Sequence, residues 1–356
     1  MISKDTLNIG WIKQVSNENR KADKILIEKV IRALLLLDGL AESELPFIFK
    51  GGTAVMLLQG TTPKRFSTDI DIITLSDINF EDYFKKFLNE KNFTRYELQN
   101  RMVNSKIRKL HYKFYYTPVH QSNIPEDNIL LDILIESNNY ANLNPTDINS
   151  PFIKIDGSSN KVTIPGVEDL LGDKLTAFAP NTTGIPYEKN SIEMGMEIIK
   201  QLYDIGNLFE ASKEMSTVSK TFRKIAETEM NYRNINAGVE TVLNDIVQTS
   251  LCISTNNQLG SGRYDILVKG ISKLKAYIFS EPFHIDKAIV FSSRAAYLST
   301  LIEHKCTEII KFKDPAQIEE WVIENQEINK LNKLKKSNPE AFFYWYQTYL
   351  LKGMIK

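Results

Sequence analysis

Two aspartates one residue apart, set behind a Gly-Gly turn, constrain this chain more than any other feature. They lie in FIFKGGTAVMLLQGTTPKRFSTDIDIITL, residues 47–75. Phe47–Phe49 is a short apolar run that stops at Gly51-Gly52, and a compact helical pattern from Thr53 to Leu58 is closed by Gly60. A polar turn then leads into a strand, Asp69 to Ile73. Side chains at i and i+2 share one face of a strand. Asp69 and Asp71 therefore point one way, and Ile70 and Ile72 point toward a core. Neighbouring carboxylates repel unless a cation neutralises both. A hard divalent ion answers that need, since Mg2+ takes one or two carboxylates together with substrate phosphates. The glycines add a backbone that approaches a phosphate closely at a helix N-terminus. A lone D-x-D reads more simply as two solvated carboxylates on an edge strand. The preceding GGTA and RFS shift the balance toward metal binding by Asp69 and Asp71.

Gly-rich turn, helix, then D-x-D on a strand is the working plan of a nucleotidyltransferase. KGGTA followed by R-F-S-T-D-I-D resembles the first motif of the AbiEii/MenA-type nucleotidyltransferases. These are toxins of abortive-infection and type IV toxin–antitoxin systems within the polymerase-beta-like superfamily. The resemblance is strongest over Phe47–Ile73 and reaches about Phe209 through two later motifs. It implies an α+β fold: a polymerase-beta-like domain with a mixed β-sheet, followed by a helical C-terminal domain.

With 356 residues, the chain is long for a single core, and two domains are expected, 1–165 and 166–356. The 44 basic and 44 acidic residues balance, which argues against wholesale coating of nucleic acid and leaves room for a local basic patch. No apolar run approaches the length of a membrane span. No signal-type stretch follows Met1, and two cysteines, Cys252 and Cys306, form no disulfide framework. A cytoplasmic setting is the expectation.

Residues 19–42 carry apolar positions at helical spacing, and Phe80–Asn89 reads as a second amphipathic helix. Phe93–Leu98 and Lys106–Tyr116 read as a hairpin, and Ile129–Ile135 as a central strand buried on both faces. Asn138–Asp147 reads as loop and Val162–Ile164 as a short strand. Helical patterns follow at 167–178, 191–209, 213–229, 236–254, 264–279, 286–303, 314–325 and 338–351.

Asp132 interrupts the apolar run ILLDILI, which implies burial of a carboxylate that needs a partner. One reading ties it to a helix N-terminus or an arginine. The resemblance makes it a third carboxylate that completes the metal site and serves as general base. Gly51, Gly52 and Thr53 form either a tight turn or a triphosphate contact, with the Thr53 hydroxyl standing where the superfamily commonly has serine. Arg65 and Ser67 match the family's R-x-S-x-D-x-D, either as nucleotide contacts or, for Ser67, as a turn cap. By the same resemblance Lys174 contacts nucleotide, and Lys200 to Asp204 matches a K-D-L-Y-D signature. Lys200 and Asp204 are also spaced for an ordinary helix ion pair, worth a few tenths of a kcal/mol. The alternative is a network in which Asp204 orients Lys174 or Lys200 toward phosphates, in a cleft between the domains. The family's arginine between these motifs is missing from APNTTGIPYEKN, where Lys189 is the nearest substitute.

Lys106, Arg108, Lys109, His111 and Lys113 put cationic side chains along one strand: a polar sheet face, or a patch for RNA backbone or triphosphate. His304 and Cys306 are too few ligands for zinc and read as structural. Gly260-Ser261-Gly262 reads as a helix-entry loop, and Tyr344–Tyr346 as packing of the last helix. The resemblance implies an NTP substrate, Mg2+ or Mn2+, a tRNA 3′ end as acceptor, and an antitoxin encoded nearby. A protein or small-molecule acceptor, a non-catalytic binding role and a nuclease are the alternatives.

Overall fold

The structure is a computed structural model that describes residues 1–76, 78–99, 108–120 and 124–353. It divides into two compact units, Met1–Gly166 with Ala276–Pro282, and Val167–Lys275 with Phe283–Lys356.

The first unit begins with α1 (Ile9–Glu18), which the sequence pattern did not signal, and α2 (Lys24–Glu42). The Asp23 carboxylate accepts from the Ile25 N–H and so starts α2 within the segment read as 19–42. Then come β1 (Ile48–Lys50), α3 (Gly51–Leu58), β2 (Ile70–Thr74), α4 (Phe80–Phe87), β3 (Arg95–Leu98), β4 (Arg108–Tyr116), β5 (Asp127–Ile135), β6 (Leu143–Asp147) and β7 (Lys161–Pro165). Seven strands make one mixed sheet in the order β3-β4-β5-β2-β1-β7-β6. β2 and β5 run parallel, as do β1 and β7, and the other neighbouring pairs are antiparallel.

One face of this sheet carries the core. Tyr112, Phe114 and Tyr116 alternate onto it from β4, and Ile129, Leu131 and Ile133 from β5. Phe84 of α4 meets Phe114 and Tyr112 edge-on, with ring centroids 4.9 and 5.0 Å apart. The two-sided burial expected for Ile129–Ile135 does not occur, because β5 alternates buried and half-buried positions. The stretch read as loop, Asn138–Asp147, contains β6. Its Pro145 lacks an N–H to donate and is tolerated because β6 is an edge strand.

The returning segment belongs to this unit. The Phe66 N–H donates to the Tyr277 carbonyl at 2.8 Å, and the Phe66 and Phe279 rings lie 4.5 Å apart.

The second unit is helical: α5 (Val167–Ala177), α6 (Gly195–Ala211), α7 (Met215–Tyr232), α8 (Val239–Ser254), α9 (Tyr264–Leu274), α10 (Ile285–Glu303), α11 (Leu334–Ser337) and α12 (Pro339–Gly353). A two-strand ribbon, β8 (Glu188–Lys189) and β9 (Ile192–Glu193), takes the start of the segment read as helix 191–209. Only a 3-10 turn, Pro315–Ile318, forms within 314–325. The loop after α5 is pinned by Asp245, which accepts from the Asn181 N–H at 2.8 Å, the Asn181 amide at 2.7 Å and the Thr182 hydroxyl at 2.9 Å. Burial pushes the Asp245 carboxyl above its ordinary range, against these donors. Gly260-Ser261-Gly262 leads into α9, and Tyr344 and Trp345 are core. Among the described residues no helix is long and apolar enough to cross a membrane.

Candidate active site

Strand register, rather than sequence proximity, builds the site. β2 and β5 run side by side in parallel, and Asp71 is the direct neighbour of Asp132. On the other side of β2, Asp71 is opposite Lys50 of β1, and on the other side of β5, Asp132 is opposite His111 of β4. Lys50, Asp71, Asp132 and His111 thus form one row across four adjacent strands. Asp69, exposed, immediately precedes β2. The Asp132 side chain is 40% exposed, so it is not the buried carboxylate that its apolar neighbours suggested. Its flanking leucines and isoleucines belong to a strand with one covered face, and Asp132 is on the other.

His111 is set apart by the structure from the other cationic residues expected on this strand. Its Nδ1 donates to Asp132 Oδ1 at 2.6 Å, and its side chain is only 14% exposed. In the sequence it was one of several cationic residues on a strand; only the β4–β5 register singles it out. Lys106, from the same expected patch, lies outside the described residues.

Gly51 opens α3 at φ +81°, a conformation that disfavours a side chain. An added Cβ there would run into the Asp71 carboxylate. At Gly52 an added Cβ would come within 2.6 Å of the Ser67 hydroxyl and 2.7 Å of Arg65 Nη2. The turn therefore touches the acidic pair at one glycine and the R-x-S motif at the next. No side chain caps the N-terminus of α3, which leaves its first-turn N–H groups without a capping side chain.

Thr53 departs from expectation. It is fully buried and its hydroxyl donates to the Asp69 carbonyl at 2.8 Å, tying α3 to the start of β2 instead of facing a phosphate. Arg65 is buried too, and its Nη1 donates to the Phe66 carbonyl at 2.9 Å. Ser67 is half-buried beside Gly52.

In the second unit, Lys174 of α5 and Asp204 of α6 form an ion pair at 3.1 Å, with side chains 7% and 3% exposed. Lys174 also donates to the Gln201 side chain at 3.0 Å. Lys200, one turn before Asp204, donates to both Glu197 oxygens at 3.0 Å. Of the two lysines, the buried one on the neighbouring helix is the one these contacts join to Asp204. Lys189 is exposed on β8.

Among the described residues, no three His, Cys, Asp or Glu side chains converge as a ready-made metal cage, so Asp69, Asp71 and Asp132 are not a preformed triad. The adjacent pair nevertheless suits a hard cation. It offers carboxylate oxygens in register on the less covered face, beside a glycine that leaves space, and Mg2+ draws its remaining ligands from substrate and water.

The profile of the AbiEii nucleotidyl transferase toxins of type IV toxin–antitoxin systems matches residues 35–257. A search of curated proteins finds no match. Among solved structures, MenT4, a nucleotidyltransferase toxin from Mycobacterium tuberculosis, aligns at 10% identity and a TM-score of 0.40, covering 93% of this chain and 98% of that one. The profile spans more than half of the chain and contains both the GGTA–D-x-D segment and Asp132, so this protein belongs to the AbiEii nucleotidyltransferase toxin family.

Proposed function

We propose that the chain transfers a nucleoside monophosphate from an NTP to an acceptor hydroxyl, a tRNA 3′ end, in growth arrest or phage defence. The observation that carries this reading is the Asp71–Asp132 neighbour pair beside the Gly51 turn. In the reaction the acceptor oxygen bonds to the α-phosphorus, the bond from that phosphorus to the bridging oxygen breaks, and pyrophosphate leaves. Asp69, Asp71 and Asp132 would hold Mg2+ or Mn2+, whose chemistry is to neutralise charge on the phosphates and acidify the attacking hydroxyl. Asp132 receives the acceptor's proton. Backbone N–H groups at Gly51, Gly52 and Thr53 bind phosphate oxygens, and Arg65 and Ser67 support the turn from beside Gly52. Lys174 and Lys200 neutralise the departing pyrophosphate, with Asp204 orienting Lys174; these three roles rest on the family resemblance alone. The tRNA acceptor, a cytoplasmic setting and a neighbouring antitoxin likewise come from the family.

The test is incubation with total tRNA and each α-labelled NTP, followed by separation of RNA, protein and small-molecule pools. Label in the tRNA pool with pyrophosphate release, lost in Asp69→Ala, supports the proposal. Label in another pool replaces the acceptor. Pyrophosphate-free RNA cleavage replaces the chemistry.

A further inference from the structure

We infer that His111 is a positioning residue for Asp132, setting which carboxylate oxygen is left to a divalent cation. The inference rests on the nucleotidyltransferase reading of the acidic pair and adds a residue that the proposed function does not use. Asp132 lies between two neighbours of opposite character, Asp71 in parallel register and His111 in antiparallel register. A carboxylate beside another carboxylate, and 40% exposed, has a repulsive reason to rotate out to solvent. The imidazole opposes that rotation. The Nδ1 contact at 2.6 Å commits Oδ1, and the ring itself is held by burial to 14% exposure. A short bond from a nearly buried ring to a half-exposed carboxylate fixes the side chain that would otherwise move. The second oxygen of Asp132 remains for a ligand.

The bond also fixes the imidazole. A carboxylate only accepts, so the contact requires the hydrogen on Nδ1. A metal-holding carboxylate is commonly oriented by such a neighbour, and losing it typically weakens metal affinity about 10–100-fold. The adjacent cationic residues on β4 do not duplicate the role. The strand alternates, and Leu110 and Tyr112 flank His111 on the opposite face, while Lys109 and Lys113 are opposite Leu134 and Leu130.

Mn2+ alone, titrated into the full chain and read by electron paramagnetic resonance, tests this without nucleotide or turnover. His111→Ala and the space-filling His111→Phe both lose the donor and should weaken Mn2+ binding about 10–100-fold. His111→Asn carries an N–H near the Nδ1 position and should recover most of the affinity. Thermal melting separates this from unfolding, and His111→Phe keeps the test open if the alanine variant does not fold. Wild-type affinity in both donor-less variants, with binding lost in Asp71→Asn, overturns the role of His111 and leaves the metal site standing. Failure of the Asn variant to recover affinity also overturns it. Wild-type affinity in Asp71→Asn, or no Mn2+ uptake by the wild type, removes the acidic site and this role with it.

Discussion

Asp71 and Asp132 are nearest neighbours in register across the parallel strands β2 and β5 although 61 positions separate them in the chain, the difference between their numbers. Two like charges placed this way weaken the sheet locally. Asp132→Asn keeps an oxygen for the His111 N–H and removes one charge. Nucleotidyl transfer should fall by at least about 10²-fold, the scale of losing one preorganised electrostatic contact. The metal-free melting temperature should not fall. A melting temperature well below wild type would make Asp132 a structural residue instead.

The two glycines of the turn should respond differently to alanine. At Gly51, φ is +81°, and a left-handed conformation costs a non-glycine residue roughly 1–2 kcal/mol. The Asp71 carboxylate must move as well. At Gly52 the obstacles are the ends of the Ser67 and Arg65 side chains. Urea unfolding should show Gly51→Ala as the less stable variant, and it should also be the less active.

Lys174 and Asp204 form a nearly buried ion pair. Removing one partner leaves an uncompensated charge, so Asp204→Ala should lose about 3–5 kcal/mol in urea unfolding. The double change Lys174→Met with Asp204→Leu should recover most of that stability, since apolar replacements of similar volume are often neutral. If Lys174 acts on phosphate, the recovered protein remains inactive. An active double variant would confine the pair to a structural role.

Asp245 gives the helical unit a pH signature. Burial raises its carboxyl above the ordinary value of 3.8. Between that value and the raised one, the folded chain holds more protons than the unfolded chain. The stabilisation is therefore complete below pH 3.8 and is lost as pH rises through the raised value. Urea midpoints across the acidic range should show this downward slope in wild type and a flatter profile in Asp245→Asn.

The parts legible in the sequence are those set by local period. The alternation of Asp69-Ile70-Asp71-Ile72 and the Gly-Gly entry into α3 need only a strand rule and a helix start. What stayed hidden depends on register and layering. Asp132 reads as buried because its neighbours are apolar, yet coverage of the second face is not written in a seven-residue window. His111 is one cation among several until β4 and β5 align it with Asp132. Thr53 reads as a phosphate contact until the fold brings the Asp69 carbonyl to its hydroxyl. Asn138–Asp147 reads as loop, and β6 forms there with Pro145 tolerated because the strand has a neighbour on one side only.

The return of Ala276–Pro282 to the sheet unit has a consequence for how the protein is made. Phe66 and Phe152 stay uncovered by Phe279 until that residue has left the ribosome. Synthesis proceeds at about 5–20 residues per second, so the acidic strands emerge many seconds before the unit carrying them is complete. A nascent chain halted after Gly166 would hold every strand of the large sheet and still lack its closing aromatic. Maturation of this unit thus waits for a segment encoded well after its last strand.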